Sequence, residues 1–371
     1  MRLASLTRHL GLAVVALVVV AACGSTSGGG TASCDAKSAK SVSDCGGMDA
    51  LVAAAKKEGK LNVIALPPDW ANYGAIIAGF KSKYGIDVTS ANPNGSSQEE
   101  VDAIKQLSGT GRAPDVVDVG LKVALANTTL FTPYKVSTWG DILDGQKEST
   151  GLWYQDYGGY MGIGYDSSKV PAVTSIQDLL KAEYKSKVAL AGDPTKSNQA
   201  LNGLILASVA NGGSLDDVSK GVDFFHQLKL KGNYVPIIGT AATVKAGTTP
   251  VLFEWDYLST SHGKDVSAWK IFVPENATIG GYYAQAINKD APHPAAARLW
   301  EEYLYSNDGQ NLWLKGGARP VRQAAMEKSG KIDAAAAAAL PKITGTPKFP
   351  TDAQQTAAGA YVAANWSKAV S

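Results

Sequence analysis

The sequence predicts an α/β fold, because segments with strand character alternate with segments with helix character along most of the chain. The predicted strands are short apolar runs that end at proline, glycine or asparagine, as expected for a parallel sheet covered by helices on both faces. The chain has 371 residues, which is more than one typical core holds, so two domains are expected.

The first series of elements begins after residue 45. Helix periodicity starts at Met48 and ends before Gly59, and an apolar strand at 61–66 is then stopped by Pro67-Pro68. The elements expected next are a helix with Ile76, Ile77 and Phe80 on one face, a strand at 86–88, a helix at 99–107 and a strand at 115–119.

A second series of the same kind begins after residue 165. Its expected elements are a strand at 187–190, helices at 198–209 and 222–230, a strand at 249–255, a helix opened by Pro294 and an alanine-rich helix at 334–339. The two series therefore predict two sheet-built halves.

The first 23 residues predict an exported lipoprotein. Arg2 and Arg8 form a positive n-region ahead of an apolar run, Leu10–Val20, that is too short to span a bilayer. The Val20-Ala21-Ala22-Cys23 segment resembles the lipobox of bacterial lipoproteins, whose cysteine carries diacylglycerol after cleavage. We expect a signal peptide at 1–22 and a lipid on Cys23, which would hold the protein on the extracytoplasmic face of the cell membrane. The alternative is an ordinary secretory peptide with a chance cysteine.

The charge balance excludes a nucleic-acid partner. The chain carries 35 basic and 33 acidic residues, and removal of residues 1–22 leaves 33 of each, without a basic run. No later apolar segment reaches the roughly 18 residues of a membrane-spanning helix. We expect a monomer that contacts the membrane through its lipid.

Cys34 and Cys45 are the two other cysteines, and an oxidising compartment favours a disulfide between them. Metal binding is the alternative, but two thiols without nearby histidines make a poor zinc site. The glycine- and serine-rich stretch at 24–33 is a spacer with a reach of about 18 Å. Residues 23–45 are therefore assigned to a flexible tether.

Six segments together resemble the solute-binding proteins of ABC importers, in the extracellular solute-binding family 1 group. They are EGKLNV at 58–63, FKSKYGIDV at 80–88, PDVV at 114–117, NKDAPHPAAA at 288–297, SNDGQ at 306–310 and ARPVR at 318–322. Each is weak alone, but they occur in the order that the family shows.

This resemblance implies the two-lobed, type 2 periplasmic-binding-protein-like fold, with an interlobe ligand cleft and hinge crossovers. Lobe one would comprise about 46–160 and 276–371, and lobe two about 161–275. The lobes would close on a small-molecule solute and present it to an ABC permease in the cell membrane.

Candidate ligand-binding residues lie mainly where strands end, because ligands bind beyond the carboxyl ends of parallel strands in such sheets. Tyr157 and Tyr282 are added from aromatic stretches near the crossovers. The candidates are Trp70, Ser96, Asp118, Tyr157, Ser197, Trp255, Asp256, Tyr257 and Tyr282. Ser96 and Ser197 could equally be helix caps, and Trp70 or Tyr157 could be packing residues.

Trp255-Asp256-Tyr257 is the leading candidate, since an indole offers a cation–π face and a carboxylate pairs with an ammonium group. A strand end with core aromatics is the alternative. In a regular strand, Glu254 and Asp256 would face one side and Trp255 and Tyr257 the other.

Acidic residues near the predicted aromatics favour a solute with an amine, and polyamines such as spermidine or putrescine are the leading choice. These acids are Asp69, Asp118, Asp156 and Asp256. Ferric iron or an aminophosphonate is the alternative, and a sugar is less favoured. Ferric-binding relatives use adjacent tyrosines, but Tyr282-Tyr283 lies on the returning strand rather than ahead of it, so no metal site is assigned.

The sequence does not favour an enzyme or a cofactor. His226, His262 and His293 are far apart, and the chain has no HExxH, GxSxG, phosphate-loop or CxxC motif. A secreted hydrolase with residues that converge only in space and a surface adhesion lipoprotein are the other classes left open.

Overall fold

The computed structural model of the protein describes residues 34–371. The predicted signal peptide, the lipid on Cys23 and the spacer at 24–33 lie outside the described residues. None of the helices within 34–371 combines the length and hydrophobicity needed to cross a membrane.

The described part contains helices close to each position that the sequence predicts. The helices are α1 (Met48–Glu58), α2 (Tyr73–Tyr84), α3 (Ser97–Gln106), α4 (Leu121–Ala126), α5 (Asn198–Ala210), α6 (Ser219–Leu230), α7 (Ala241–Lys245), α8 (Asp256–His262), α9 (Pro294–Leu304), α10 (Asn307–Lys315), α11 (Gln323–Lys328), α12 (Ala334–Ala338) and α13 (Asp352–Val370). Local signals account for several ends: Gly59 and Gly85 adopt the left-handed conformation after α1 and α2, and Pro294 opens α9.

The strands form two sheets. They are β1 (Lys60–Ile64), β2 (Asp87–Ala91), β3 (Val116–Gly120), β4 (Phe131–Thr132), β5 (Tyr154–Asp166), β6 (Val188–Leu190), β7 (Val251–Trp255), β8 (Trp269–Phe272), β9 (Gly280–Asn288) and β10 (Arg319–Pro320). The small sheet pairs β1 with β2, and the large sheet has the order β3-β9-β5-β7-β6, with β10 and β8 on β5 and β4 on β9.

The expectation of a parallel sheet is wrong for most of these pairs. Strands β1 and β2 run parallel, as do β6 and β7, but β3 with β9 and β5 with β7 are antiparallel. The reason is that β9 returns from late in the chain and inserts between β3 and β5, a pairing that local sequence patterns do not encode.

Strand β5 connects the two halves of the molecule. Its beginning pairs with β9, from Tyr154 to Tyr160, and its end pairs with β7 and β8, from Met161 to Asp166. We call α1–α4 with β1–β3 the first lobe, and α5–α8 with β6 and β7 the second lobe. The pair β5 and β9 occupies the position expected for crossovers between them.

The C-terminal helix α13 packs on α6 and α5 of the second lobe and on α4 of the first lobe. Gln354 donates from Nε2 to Asp216 Oδ1 over 2.8 Å, and His226 Nδ1 lies 2.8 Å from the carbonyl oxygen of Ala369. Helix α13 therefore bridges the two lobes, whereas the sequence assigned its residues to lobe one alone.

The predicted disulfide between Cys34 and Cys45 is present. The residues that it encloses are packed, since Ala36 and Ala39 are buried. The buried guanidinium of Arg298 donates hydrogen bonds to the carbonyl oxygens of Lys37 and Ala39. The predicted tether is therefore wrong for residues 34–45, which belong to the folded body.

Candidate functional site

A cleft of about 640 Å³ lies between the two lobes. Its first-lobe wall comes from the segments after β1 and β2, the start of α3 and the end of β3. Its second-lobe wall comes from the segment after β6, the start of α5, the end of β7 and the last turn of α8. The cleft thus lies at the carboxyl ends of strands, where α/β sheets place their ligands.

The cleft is acidic. Among the described residues, six carboxylates line it, against the two basic side chains Lys196 and His262. The carboxylates belong to Asp69, Glu99, Glu100, Asp118, Asp193 and Glu254. Carboxylates gathered in a cleft of low dielectric constant attract a cation and repel an anion.

Asp118 is held by two tyrosine hydroxyls, one of which is itself held by an indole N–H. Its Oδ2 accepts hydrogen bonds from the hydroxyls of Tyr73 at 2.8 Å and Tyr157 at 2.9 Å, and Tyr157 in turn accepts one from Trp70 Nε1 at 2.6 Å. The side chain is only 7% exposed, and its Oδ1 has no hydrogen-bond partner within residues 34–371. One oxygen is therefore fixed in place while the other is left unpaired.

Burial raises the pKa of Asp118 to about 7, although the hydrogen bonds from Tyr73 and Tyr157 favour its ionised form. Burial also raises the pKa of Glu100 well above its ordinary value, and the nearby charge of Asp118 adds to this effect. The Oε2 atom of Glu100 accepts a hydrogen bond from the backbone N–H of Asp118 at 3.0 Å. Desolvated carboxylates of this kind are typical of binding sites.

Glu254 and His262 form a second buried acidic group in the second-lobe wall. His262 Nε2 lies 2.9 Å from Glu254 Oε2. Burial lowers the pKa of His262, but the hydrogen bond and charge of Glu254 outweigh this, so that the pKa is raised overall. The Glu254 side chain is 2% exposed, and its Oε1 has no partner in the part of the chain that the structure describes. The two walls thus each contribute one unpaired carboxylate oxygen.

Four of the predicted site residues line the cleft: Trp70, Ser96, Asp118 and Ser197. The two serines also cap helices, because Ser96 Oγ accepts from the N–H of Glu99 and Ser197 Oγ accepts from that of Ala200. Trp70 packs edge-on against Tyr283, with ring centroids 5.7 Å apart, and together they form an aromatic wall.

The other predicted residues lie elsewhere. Tyr157 is buried behind the wall, where it contacts the cleft residues Asp118, Trp70 and Tyr283. In the part of the chain that the structure describes, the leading candidates do not line the cleft: Trp255, Asp256 and Tyr257 are all buried elsewhere. Asp256 instead pairs with Arg319 Nη1 at 2.7 Å, so its charge is already neutralised. Asp156 is also buried away from the cleft, where it accepts a hydrogen bond from Gln285.

The prediction that Trp255-Asp256-Tyr257 lines the cleft is wrong because strand β7 ends at Trp255 and helix α8 begins at Asp256. The expected alternation of an extended strand does not continue through this junction. Glu254, one residue earlier, is the acid that reaches the cleft, and His262 joins it from the end of α8.

Tyr282 and Tyr283 face different cavities, because they occupy successive positions of β9. Tyr283 lines the cleft, whereas Tyr282 lines a second cavity. The pair therefore cannot bind one metal ion together. Within residues 34–371, no group of three or more His, Cys, Asp or Glu side chains is arranged to hold a metal ion.

Sequence reasoning missed Glu254, His262, Glu100 and Lys196 as site residues. Glu254 and Lys196 are direct neighbours of the candidates Trp255 and Ser197, so position at the end of a strand was a usable signal for both. His262 and Glu100 lie on helices, and the sequence carries no local sign that their helices face the cleft.

The two lobes and the cleft between them are the fold of two-lobed periplasmic binding proteins. Residues 113–339 match the family of bacterial extracellular solute-binding proteins, and because this match covers more than half of the chain, the protein belongs to that family. The resemblance to extracellular solute-binding proteins stated from the sequence is confirmed. Among curated proteins, none has a significantly similar sequence.

Solved structures show the same fold at low sequence identity. Iron-bound HitA from Pseudomonas aeruginosa has a TM-score of 0.62 and 18% identity, over 82% of this chain and 97% of its own. AfuA from Actinobacillus pleuropneumoniae, bound to fructose-6-phosphate, has a TM-score of 0.65 and 17% identity, over 84% and 98%. A putative spermidine/putrescine ABC transporter protein from Listeria monocytogenes has a TM-score of 0.62 and 12% identity, over 84% and 98%.

Proposed function

We propose that this protein is a lipid-anchored receptor that captures a small amine-bearing, polyamine-like solute by lobe closure and delivers it to an ABC permease. The observation that carries the proposal is the acidic cleft, in which Asp118 and Glu254 each contribute an unpaired, buried carboxylate oxygen. The Asp118 carboxylate has no cationic partner among the described residues, and an ammonium group supplies both charge and hydrogen-bond donors. Glu254 already lies beside His262, so its unpaired oxygen offers a hydrogen-bond acceptor.

The shape of the cleft supports an organic cation. Its volume of about 640 Å³ lies within the range of small-molecule sites and far exceeds the space that one ion fills. Trp70 and Tyr283 offer apolar surface to a methylene chain and aromatic faces to an ammonium group. A chain with an amine at each end offers one ammonium group to the acidic residues of each wall, so its binding would favour the closed arrangement of the lobes.

A zwitterionic solute such as an aminophosphonate is the second candidate. Helices α3 and α5 both begin at the cleft, and Lys196 stands beside the start of α5. Helix N-termini and a lysine favour an anionic group, so a solute with both charges could use both sets of residues. Ferric iron is not supported, because Tyr282 and Tyr283 face different cavities.

The test is a thermal-shift and calorimetry screen with putrescine and spermidine, with butane-1,4-diol as the neutral control of matched length. A solute at a hundred times its Kd should raise the free energy of unfolding by about 2.7 kcal/mol. An aminophosphonate and ferric iron complete the panel. Binding of the diol as tightly as of putrescine, or a shift with ferric iron alone, contradicts the amine proposal.

We expect the affinity for a cationic solute to fall as the pH drops through 7. A cation binds the ionised form of Asp118, whose pKa is raised to about 7, so protonation competes with binding. Between pH 8 and pH 6 the ionised fraction falls about tenfold, and the affinity should fall by a similar factor. Calorimetry with putrescine at a series of pH values measures this, and Asp118→Asn should flatten the dependence. A flat profile in the unaltered protein contradicts the assignment.

The anchor has its own test. Replacing Cys23 by alanine removes the only thiol of the proposed lipobox. We expect C23A to be recovered from the culture medium or the soluble extracytoplasmic fraction instead of the membrane fraction, with solute binding unchanged. C23A that stays with the membrane as the unaltered protein does contradicts lipid anchoring.

A further inference from the structure

A second cavity of about 910 Å³ lies beside α13, and no residue that lines it within the described part also lines the cleft. We call it the rear cavity. Its walls come from the start of α4, the segment at 143–146, strands β5 and β9, the start of α5, helix α11 and the segment that leads into α13. Its chemistry differs from that of the cleft.

Five side-chain amides line the rear cavity, and no lysine, arginine or histidine in residues 34–371 does so. The amides belong to Gln146, Gln155, Asn198, Gln323 and Gln355. Two carboxylates, Glu327 and Asp352, are also present, and Glu327 Oε1 already accepts a hydrogen bond from Gln323. This charge pattern disfavours phosphates and carboxylates as ligands.

Two of the amides are buried and incompletely paired. Asn198 is 5% exposed and Gln355 is 3% exposed. In the described part of the chain, Asn198 Oδ1 and Gln355 Oε1 have no hydrogen-bond partner. Buried carbonyl oxygens without partners are costly, and a ligand that donates hydrogen bonds would relieve that cost.

Aromatic rings stand beside the amides. Tyr282 is half-buried and Phe349 is 48% exposed, with ring centroids 6.2 Å apart and planes tilted by 35°. Their faces can pack against the C–H groups of a ligand. Since an amide both donates and accepts hydrogen bonds, it matches a hydroxyl group, which does the same. We propose that the rear cavity is a second binding site, for a neutral polyhydroxylated molecule of the sugar class.

The experiment is calorimetry of the protein with glucose, maltose and trehalose, and crystals soaked in any sugar that binds. We expect at least one to bind with a Kd of about 1 mM or tighter, with its ring against Tyr282 and Phe349. Ala324 is exposed and lines the cavity, so Ala324→Trp should fill the site and weaken binding at least about tenfold without disturbing the core. Ala335→Trp, on exposed α12 away from the cavity, is the matched control.

Thermal unfolding without sugar checks that both variants fold, and Phe349→Ser replaces Ala324→Trp if that variant does not. Three results would overturn the proposal: no sugar binds, Ala324→Trp leaves sugar binding unchanged, or Ala335→Trp weakens it equally. Because the screened amines occupy the cleft, their binding should be the same in Ala324→Trp as in the unaltered protein. Failure at the rear cavity is thereby distinguished from failure of the amine proposal.

Discussion

Replacing Asp118 by asparagine should weaken putrescine binding at pH 8 by about 3 kcal/mol, or more than a hundredfold, because removing one partner of a buried charged hydrogen bond costs about this much. The amide oxygen can still accept from the hydroxyls of Tyr73 and Tyr157, which now hold Oδ2. The amide nitrogen would replace the unpaired Oδ1 and present a donor to the ammonium group. Adding Glu254→Gln should remove detectable binding.

The same substitution should not destabilise the empty protein. Burial raises the pKa of Asp118 above its unfolded value, so ionising the folded carboxyl at pH 8 costs folding free energy that asparagine does not incur. Calorimetry gives the affinity, and denaturant unfolding without solute gives the stability. Asp102→Asn, on α3 outside the cleft, is the matched control. Unchanged affinity in Asp118→Asn, or an equal loss in Asp102→Asn, contradicts the proposed role.

Local sequence signals predicted about half of the helices and strands of the described part, because the groups that begin or end those elements are their near neighbours, but they did not predict the long strand β5 or helix α13. Ser96 and Ser197 cap α3 and α5, and Pro294 opens α9, as the sequence indicated. The direction of strand pairing was not predictable in this way. Val116 in β3 lies opposite Ile287 in β9, and nothing in either short strand specifies so distant a partner.

The same limit applies to the site. The sequence identified Asp118 correctly because it predicted strand β3, near whose end Asp118 lies. It placed Asp256 in the cleft because no nearby residue indicates that Asp256 has a partner within the fold. Arg319 is 63 residues away along the chain and neutralises Asp256 inside the fold. An acidic residue next to aromatic residues therefore predicts a cation site only where no basic residue from a distant part of the chain already forms a salt bridge with it.

Gly120 supplies a test of lobe closure. It ends β3 in the first lobe with φ −61° and ψ 148°, a conformation open to any residue. A methyl group added to it would nevertheless overlap the Cβ and Cγ atoms of Asn198, at the start of α5 in the second lobe. Glycine is thus required at this position by the approach of the other lobe rather than by its own backbone.

We expect Gly120→Ala to hold the lobes apart at this point and to weaken solute binding about a hundredfold, since misplaced partners across the cleft lose their charged hydrogen bonds. Asn198→Gly in the same chain removes the overlapping atoms and should restore much of the affinity. Gly111→Ala is the matched control, because its added methyl group would meet no described atom within 4 Å. Solution scattering with and without putrescine reports closure directly. If Gly120→Ala loses as much unfolding free energy without solute as it loses in binding, the Gly120–Asn198 contact is permanent and does not report closure.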